Sequence, residues 1–159
     1  MHTNWMIGFD LDGTISKHFN YTEERWQKVA NKDKCETKSL KRILETVELS
    51  LFPIYTPFII ITSRPVELKY LTLVWLLSNE ITDFNHLVMP QKYLFGKERI
   101  EYKAKAINHF RLETYYEDEN DILKGLIPLC PDTKIKSPHE ALFDGTASYN
   151  RIIDRVFVM

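Results

Sequence analysis

Two carboxylates, Asp10 and Asp12, stand where a short apolar run near the start of the chain ends. That run, Met6–Phe9, has the character of a β-strand. Because residues two apart in a strand share a face, both acids are expected to point the same way. Gly13 permits a tight turn, and Thr14 adds a hydroxyl. Paired acids suit a divalent cation such as magnesium, and a carboxylate held there can attack phosphorus. The same letters also fit an ordinary turn or part of a calcium loop.

A second polar group follows the apolar, β-branched stretch Pro57–Thr62, which predicts a strand buried on both faces of a parallel sheet. Thr62, Ser63 and Arg64 lie between this strand and a helix predicted over residues 66–79, with Pro65 in its first turn. Hydroxyls at such a junction suit an anion, although they equally suit a helix cap. Arg64 either reaches an outer phosphate or substrate group, or forms a surface ion pair.

A third candidate lies in the predicted helix Glu101–Phe110, where Lys103 and Lys105 fall on different faces. A lysine aimed at the paired acids would neutralise them and hold a phosphoryl group. The alternative for each lysine is a solvated place on the helix surface.

Acids form a fourth group after the predicted strand Thr114–Tyr116, at Glu117, Asp118 and Asp121. The carboxyl ends of parallel strands are where ligands bind in such sheets, so this group is expected near Asp10. The alternative is an acidic first turn that the helix dipole stabilises.

The stretch FDLDGTI resembles the first motif of the haloacid dehalogenase-like superfamily of phosphotransferases and phosphatases. The chain is similar to this family over about residues 5 to 126. The resemblance implies that Asp10 is the nucleophile and Asp12 the general acid and base. It further implies that Thr62 and Lys103, with Lys105 as the fallback, hold phosphoryl oxygens.

The same resemblance implies Mg²⁺ held by Asp10, the backbone carbonyl of Asp12 and an acid of the last group. The spacing of these acids differs from the commonest one in the family, so it leaves the ligand open among the three. The expected order of preference is Asp118, Glu117, then Asp121. The expected substrate-binding residues are Thr14, Ser63 and Arg64.

The resemblance also implies a three-layer α/β/α sandwich with a central parallel sheet, as a single domain over residues 1–159. A small helical insertion is expected at about residues 16–56, with Thr22 capping one helix and a second helix over 37–51. Its aromatic residues Phe19, Tyr21 and Trp26 either pack the insertion onto the domain or stack a base at the substrate entrance. So small a cap implies an open site for a phosphorylated small molecule, a nucleotide or a nucleic-acid end.

Composition bounds these expectations. The chain has 159 residues, a net charge of −1 and two cysteines without metal-ligand spacing. A cytoplasmic protein with no membrane partner fits these numbers and the absence of a signal-peptide pattern. They leave the oligomeric state open.

Two rival functions share the predicted fold class. A receiver domain would carry its phosphorylated aspartate after the third strand, whereas HLVM at residues 86–89 is followed by Pro90 and Gln91. A catalytically inactive phosphate-binding module is disfavoured by the intact acids. In the tail, the second Asp-Gly-Thr, at 144–146, is predicted to be a turn, and residues 150–158 a closing helix or an edge strand.

Overall fold

A five-stranded parallel sheet forms the centre of the computed structural model, which describes residues 6–149. The strands are β1 Ile7–Asp10, β2 Phe52–Pro53, β3 Phe58–Ile61, β4 Phe84–Val88, β5 Thr114–Tyr116, β6 Lys134–Lys136 and β7 Ala147–Ser148. Their order in the sheet is β4-β3-β1-β5-β6, and β2 pairs with β7 in a separate antiparallel pair. The strand that carries the first motif therefore lies in the middle of the sheet.

Helices cover both faces of this sheet. The helices are α1 Glu23–Ala30, α2 Lys34–Thr46, α3 Lys69–Ser78, α4 Lys97–Phe110, α5 Asn120–Leu129 and α6 Glu140–Asp144. Of these, α1 and α2 lie in the insertion and pack in a cluster of their own. One core cluster joins α3 and α6 to one face of the sheet through Phe9, Trp75 and Ala141. A second joins α4 and α5 to the opposite face through Ile59 and Ile107. The predicted three-layer α/β/α sandwich with a central parallel sheet is confirmed.

Continuous burial explains why β1 and β3 are the central strands. All four residues of each strand are buried, and they pair from Ile7 with Phe58 to Asp10 with Ile61. Gly8 permits close packing here, because a Cβ at this position would collide with Leu112. Apolar side chains are thus buried on both faces of the strand whose last residue is Asp10.

The insertion after β1 contains the two expected helices, with a correction to the second. Thr22 caps α1 by accepting a hydrogen bond from the backbone N–H of Arg25 at 3.3 Å, as predicted. Helix α2 spans Lys34–Thr46 rather than 37–51, because Asp33 caps it earlier and Val47 is extended. After Val47 the chain returns toward the end of the first motif, where Leu49 forms an isolated antiparallel bridge with Ser16.

Other element bounds also differ from the sequence expectations. The predicted helix over residues 66–79 begins with a 3₁₀ turn at Val66–Leu68, and Pro65 precedes it in an extended conformation. Helix α4 begins four residues earlier than expected, at Lys97. Gly145 ends α6 in the left-handed conformation, within the predicted 144–146 turn.

The expectation for residues 150–158 lies outside the described residues. Within residues 6–149, none of the helices combines the length and apolar character that a membrane span requires.

Candidate active site

The polar residues predicted from the four sequence segments meet at the carboxyl ends of three adjacent strands. Asp10 is the last residue of β1, Thr62 follows β3 and Glu117 follows β5. Because these strands are parallel neighbours, their ends lie at one edge of the sheet, where α/β proteins bind ligands. A cavity of about 470 Å³ opens there.

Lys103 links two of the acids. Its Nζ lies 2.9 Å from Asp10 Oδ1 and 2.7 Å from Glu117 Oε1, and all three side chains are at most 5% exposed. Lys105 is exposed on the other side of α4. Of the two lysines, the structure therefore brings Lys103 to the acids, because positions 103, 106 and 107 form the buried stripe of the helix.

Both oxygens of Glu117 accept hydrogen bonds from the protein itself. Oε1 accepts from Lys103 and from the Tyr115 hydroxyl at 3.2 Å, and Oε2 accepts from the backbone N–H of Glu119 at 3.2 Å. Each oxygen of Glu117 thus already accepts at least one hydrogen bond within the protein.

Asp118 presents an oxygen to the same place. Its Oδ1 is buried and has no hydrogen-bond partner, an arrangement that is costly unless a cation or a substrate group satisfies it. Oxygens of Asp10, Glu117 and Asp118 lie within 4.8 Å of one another. Three carboxylate oxygens this close fit Mg²⁺, which prefers hard oxygen ligands. Asp121 is exposed in the first turn of α5 and lies outside the group.

Gly13 makes room for Asp118. It adopts φ +85°, and a Cβ on it would collide with the Asp118 carboxylate. The turn after β1 therefore both reverses the chain and allows the acids of two strands to approach.

Burial controls the ionisation of these acids. Burial raises the pKa of Asp10 to about 8, although the Lys103 ammonium opposes the change. Burial likewise raises the pKa of Glu117 to about 7, with the Asp10 charge adding to it, and that of Asp118 to about 6. Burial alone would lower the pKa of Lys103, but Asp10 and Glu117 raise it above its ordinary value. One lysine facing three acids leaves excess negative charge that a divalent cation would neutralise.

Asp12 is held by a buried arginine. The Arg64 guanidinium donates from Nε to Asp12 Oδ2 at 3.0 Å and from Nη2 to Oδ1 at 2.5 Å. Its third nitrogen donates to Thr72 Oγ1 at 3.0 Å, and the side chain is 1% exposed. The surface ion pair that the sequence left open for Arg64 is therefore wrong, because the side chain is buried against the predicted acid and base.

The three hydroxyls have different surroundings. Thr14 Oγ1 donates to Asp10 Oδ2 at 3.3 Å, and Thr62 Oγ1 accepts from the Arg64 backbone N–H at 3.1 Å. Both threonines are fully buried and do not line the cavity. Ser63 lines the cavity, and its buried Oγ has no partner. Ser63 is therefore the hydroxyl best placed to meet a ligand.

Sequence reasoning missed several residues of this site. Tyr115 and Thr72 hold Glu117 and Arg64, and Tyr93 and Arg99 line the cavity. Tyr115 and Thr72 lie on a strand and a helix that read as apolar core, so no local signal distinguished them. Tyr93 lies in the loop before α4, where an aromatic residue was a usable signal.

Comparisons with solved structures agree with this architecture. No family model and no curated protein matches the sequence. A chain of the Pnkp1/Rnl/Hen1 RNA repair complex matches with a TM-score of 0.53 and 16% identity, over 84% of this chain and 43% of that one. A haloacid dehalogenase-superfamily hydrolase of subfamily IA, variant 1, from Geobacter sulfurreducens PCA matches with a TM-score of 0.50 and 9% identity, over 90% and 96%.

These similarities show the fold. The chain has the haloacid dehalogenase-like fold that its first motif indicated. It spans less than half the length of the RNA repair chain that it matches.

The raised pKa values predict a pH-dependent stability for the metal-free protein. Acids with raised pKa values stabilise the folded state below pH 4, and this contribution is lost as the pH rises through about 6 to 8. Asp118→Asn removes one acid, so it should reduce the stability lost between pH 5 and 8 by about 1–2 kcal/mol. Urea denaturation in a chelator measures this, with the exposed Asp121→Asn as the matched control. Identical pH dependence in both variants would contradict the assignment.

Proposed function

We propose that this chain is a magnesium-dependent phosphomonoester hydrolase that works through an aspartyl-phosphate on Asp10. The observation that carries the proposal is the buried Asp10–Lys103–Glu117 array, beside Asp118, on the floor of a cavity at the edge of the sheet. A hydrolase of the same fold supports it.

The surroundings of Asp10 suit a nucleophile. Lys103 contacts Oδ1 and Thr14 contacts Oδ2, so the carboxylate is held in one orientation. Magnesium, held by Asp10, Asp118 and the backbone carbonyl of Asp12, would supply positive charge that favours the ionised acids and offsets phosphoryl charge. Because Glu117 is engaged with Lys103, its proposed contribution to the metal is indirect.

The reaction has two balanced steps. In the first, an oxygen of Asp10 forms a bond to phosphorus while the ester P–O bond breaks, and Asp12 gives a proton to the leaving oxygen. In the second, Asp12 takes a proton from a water that attacks phosphorus, and the bond to Asp10 breaks. Inorganic phosphate and the alcohol are the products.

Other residues are assigned to the phosphoryl oxygens. Lys103 is proposed to neutralise them, and Ser63 to donate a hydrogen bond to them. Thr62, which does not line the cavity, is proposed to act by holding the Arg64 backbone. The partner-free Ser63 hydroxyl supports a direct contact. Arg64 is proposed to bind substrate only after exchanging part of its contact with Asp12.

The proposed substrate is a phosphorylated small molecule, a nucleotide or a nucleic-acid end. The structural similarity to a chain of an RNA repair complex supports the last two. We also propose a cytoplasmic location, because Cys35 and Cys130 are both free thiols.

Asp10→Asn is expected to lower kcat for an aryl phosphate by about a thousandfold or more, because an amide is a poor nucleophile. Steady-state hydrolysis in magnesium measures this. Asp132→Asn, an exposed turn position, is the matched control and should keep its activity. Near-unchanged turnover in Asp10→Asn would refute the nucleophile assignment.

Asp12→Ala is expected to lower kcat by about 10²- to 10⁴-fold for alkyl phosphates and by less for aryl phosphates. Aryl leaving groups need less protonation, so the loss should shrink as the leaving group becomes more acidic. A series of phosphate esters of increasing leaving-group acidity checks this. Equal losses across the series would remove Asp12 from the acid role.

Asp118→Ala is expected to raise the magnesium concentration needed for half-maximal activity, with partial recovery in excess magnesium. Asp121→Ala is the matched control, because that acid lies outside the site. Activity titrated against magnesium distinguishes them. A shift in Asp121→Ala alone would mean that the metal ligands have been misassigned.

A further inference from the structure

One side of the cavity is formed by aromatic rings rather than by catalytic groups. We call this surface the aromatic wall and define it as Phe19, Tyr21 and Trp26 from the insertion and Tyr93 and Phe95 from the loop before α4. The wall and the catalytic Asp10 line the same cavity. A ligand whose phosphate meets Asp10 can therefore also contact the wall.

The wall is held in place from behind. The Tyr21 hydroxyl donates to Glu36 Oε2 at 2.6 Å, and the Arg25 guanidinium lies 4.2 Å from the centre of its ring. Tyr21 in turn contacts Trp26 edge-on, with ring centres 5.1 Å apart. Tyr21 is thus a support whose ring is already packed, and it fixes the orientation of Trp26.

Trp26 and Tyr93 form the central part of the wall. Their ring centres lie 6.1 Å apart at an interplanar angle of 49°, so they present an angled surface rather than a stack. Both side chains are half-buried although they pack against the aliphatic cluster that joins the insertion to Leu68. A rigid aromatic surface that remains accessible costs little ordering entropy when it binds a planar ring.

Charge limits how far the ligand extends. Among the described lining residues, each lysine and arginine already faces an acid: Lys103 faces Asp10 and Glu117, Arg64 faces Asp12, and Arg99 faces Glu119. Additional phosphates of a longer strand would find no unpaired lysine or arginine here. The cavity, at about 470 Å³, is of the size that binds small molecules.

We infer that the aromatic wall binds the base of a single nucleotide, with Trp26 and Tyr93 as the stacking residues. The phosphate end of this assignment rests on the proposed function, and the base end rests on the wall alone. Stacking tolerates any base, because every base has a π-face. The same nucleotide could be free or could be the end of a nucleic-acid strand. The free nucleotide is favoured because each described lysine and arginine of the lining is already paired with an acid.

Binding to the full chain carrying Asp10→Asn tests the inference without turnover. Calorimetric titration would use adenosine 5′- and 3′-monophosphate, with ribose 5-phosphate as the base-free probe. Adding Trp26→Leu should weaken binding of the better nucleotide about 5- to 100-fold, the equivalent of one stacked base, and that of ribose 5-phosphate less than twofold. Trp26→Phe should restore most of the affinity.

Two further variants keep the result interpretable. Tyr93→Leu should act in the same direction from the loop before α4, which protects the test if Trp26→Leu unfolds. Phe143→Ala changes a highly exposed aromatic residue that does not line the cavity, so this control should bind as the parent does. Thermal melts check folding. Equal losses for nucleotide and ribose 5-phosphate, or no loss for either, would overturn the base assignment.

A 3′-phosphorylated pentanucleotide separates the two sources. Binding no tighter than the mononucleotide supports a free nucleotide, whereas binding more than tenfold tighter would overturn that choice. The inference and the proposed function also fail separately. Trp26-dependent nucleotide binding by a chain that hydrolyses no phosphomonoester would leave the base site standing and refute the hydrolase. Hydrolysis that ignores the base would do the reverse.

Discussion

The site depends on keeping three carboxylates together in a buried place with one lysine between them. Lys103 contacts Asp10 and Glu117 at the same time, and the side chains of this lysine and these two acids are almost completely buried. Removing charges from water is costly, and the pairing only partly repays it. The arrangement is thus better understood as holding reactive groups in register than as stabilising the fold. Its remaining negative charge is what the proposed divalent cation would neutralise.

Several parts of the structure are constrained by this arrangement. Helix α4 has to pack against the sheet so that Lys103 faces it, and Tyr115 in the middle of β5 has to reach Glu117. Gly13 has to lack a side chain so that Asp118 approaches β1. The apolar clusters on both faces of the sheet supply the rigidity for these contacts. The insertion and the loop before α4 are free of this constraint, and they supply the aromatic wall.

Much of this structure could be predicted from the sequence, because the patterns that indicate strands and helix caps depend on neighbouring residues. The buried strand before Asp10, the β-branched run before Thr62 and the Thr22 cap each depend on neighbours in the chain. The predicted end of α2 was wrong because the helical spacing of apolar residues continues past Thr46. Val47 adopts an extended conformation instead, so the helix ends before it. The pairing of Arg64 with Asp12 joins residues 52 positions apart. Such a contact depends on how distant segments pack together, so no local sequence pattern predicts it.

The central claim is that Asp10 carries the phosphoryl group, and trapping that group tests it most directly. The Asp12→Ala chain would be mixed with an aryl phosphate and magnesium, quenched in acid and digested, and the peptides measured by mass spectrometry. The account predicts one added phosphoryl group, on the peptide containing Asp10 and on that side chain. A phosphoryl group on Asp118 or on another residue, or substrate hydrolysis by this variant with no labelled peptide at all, would contradict it.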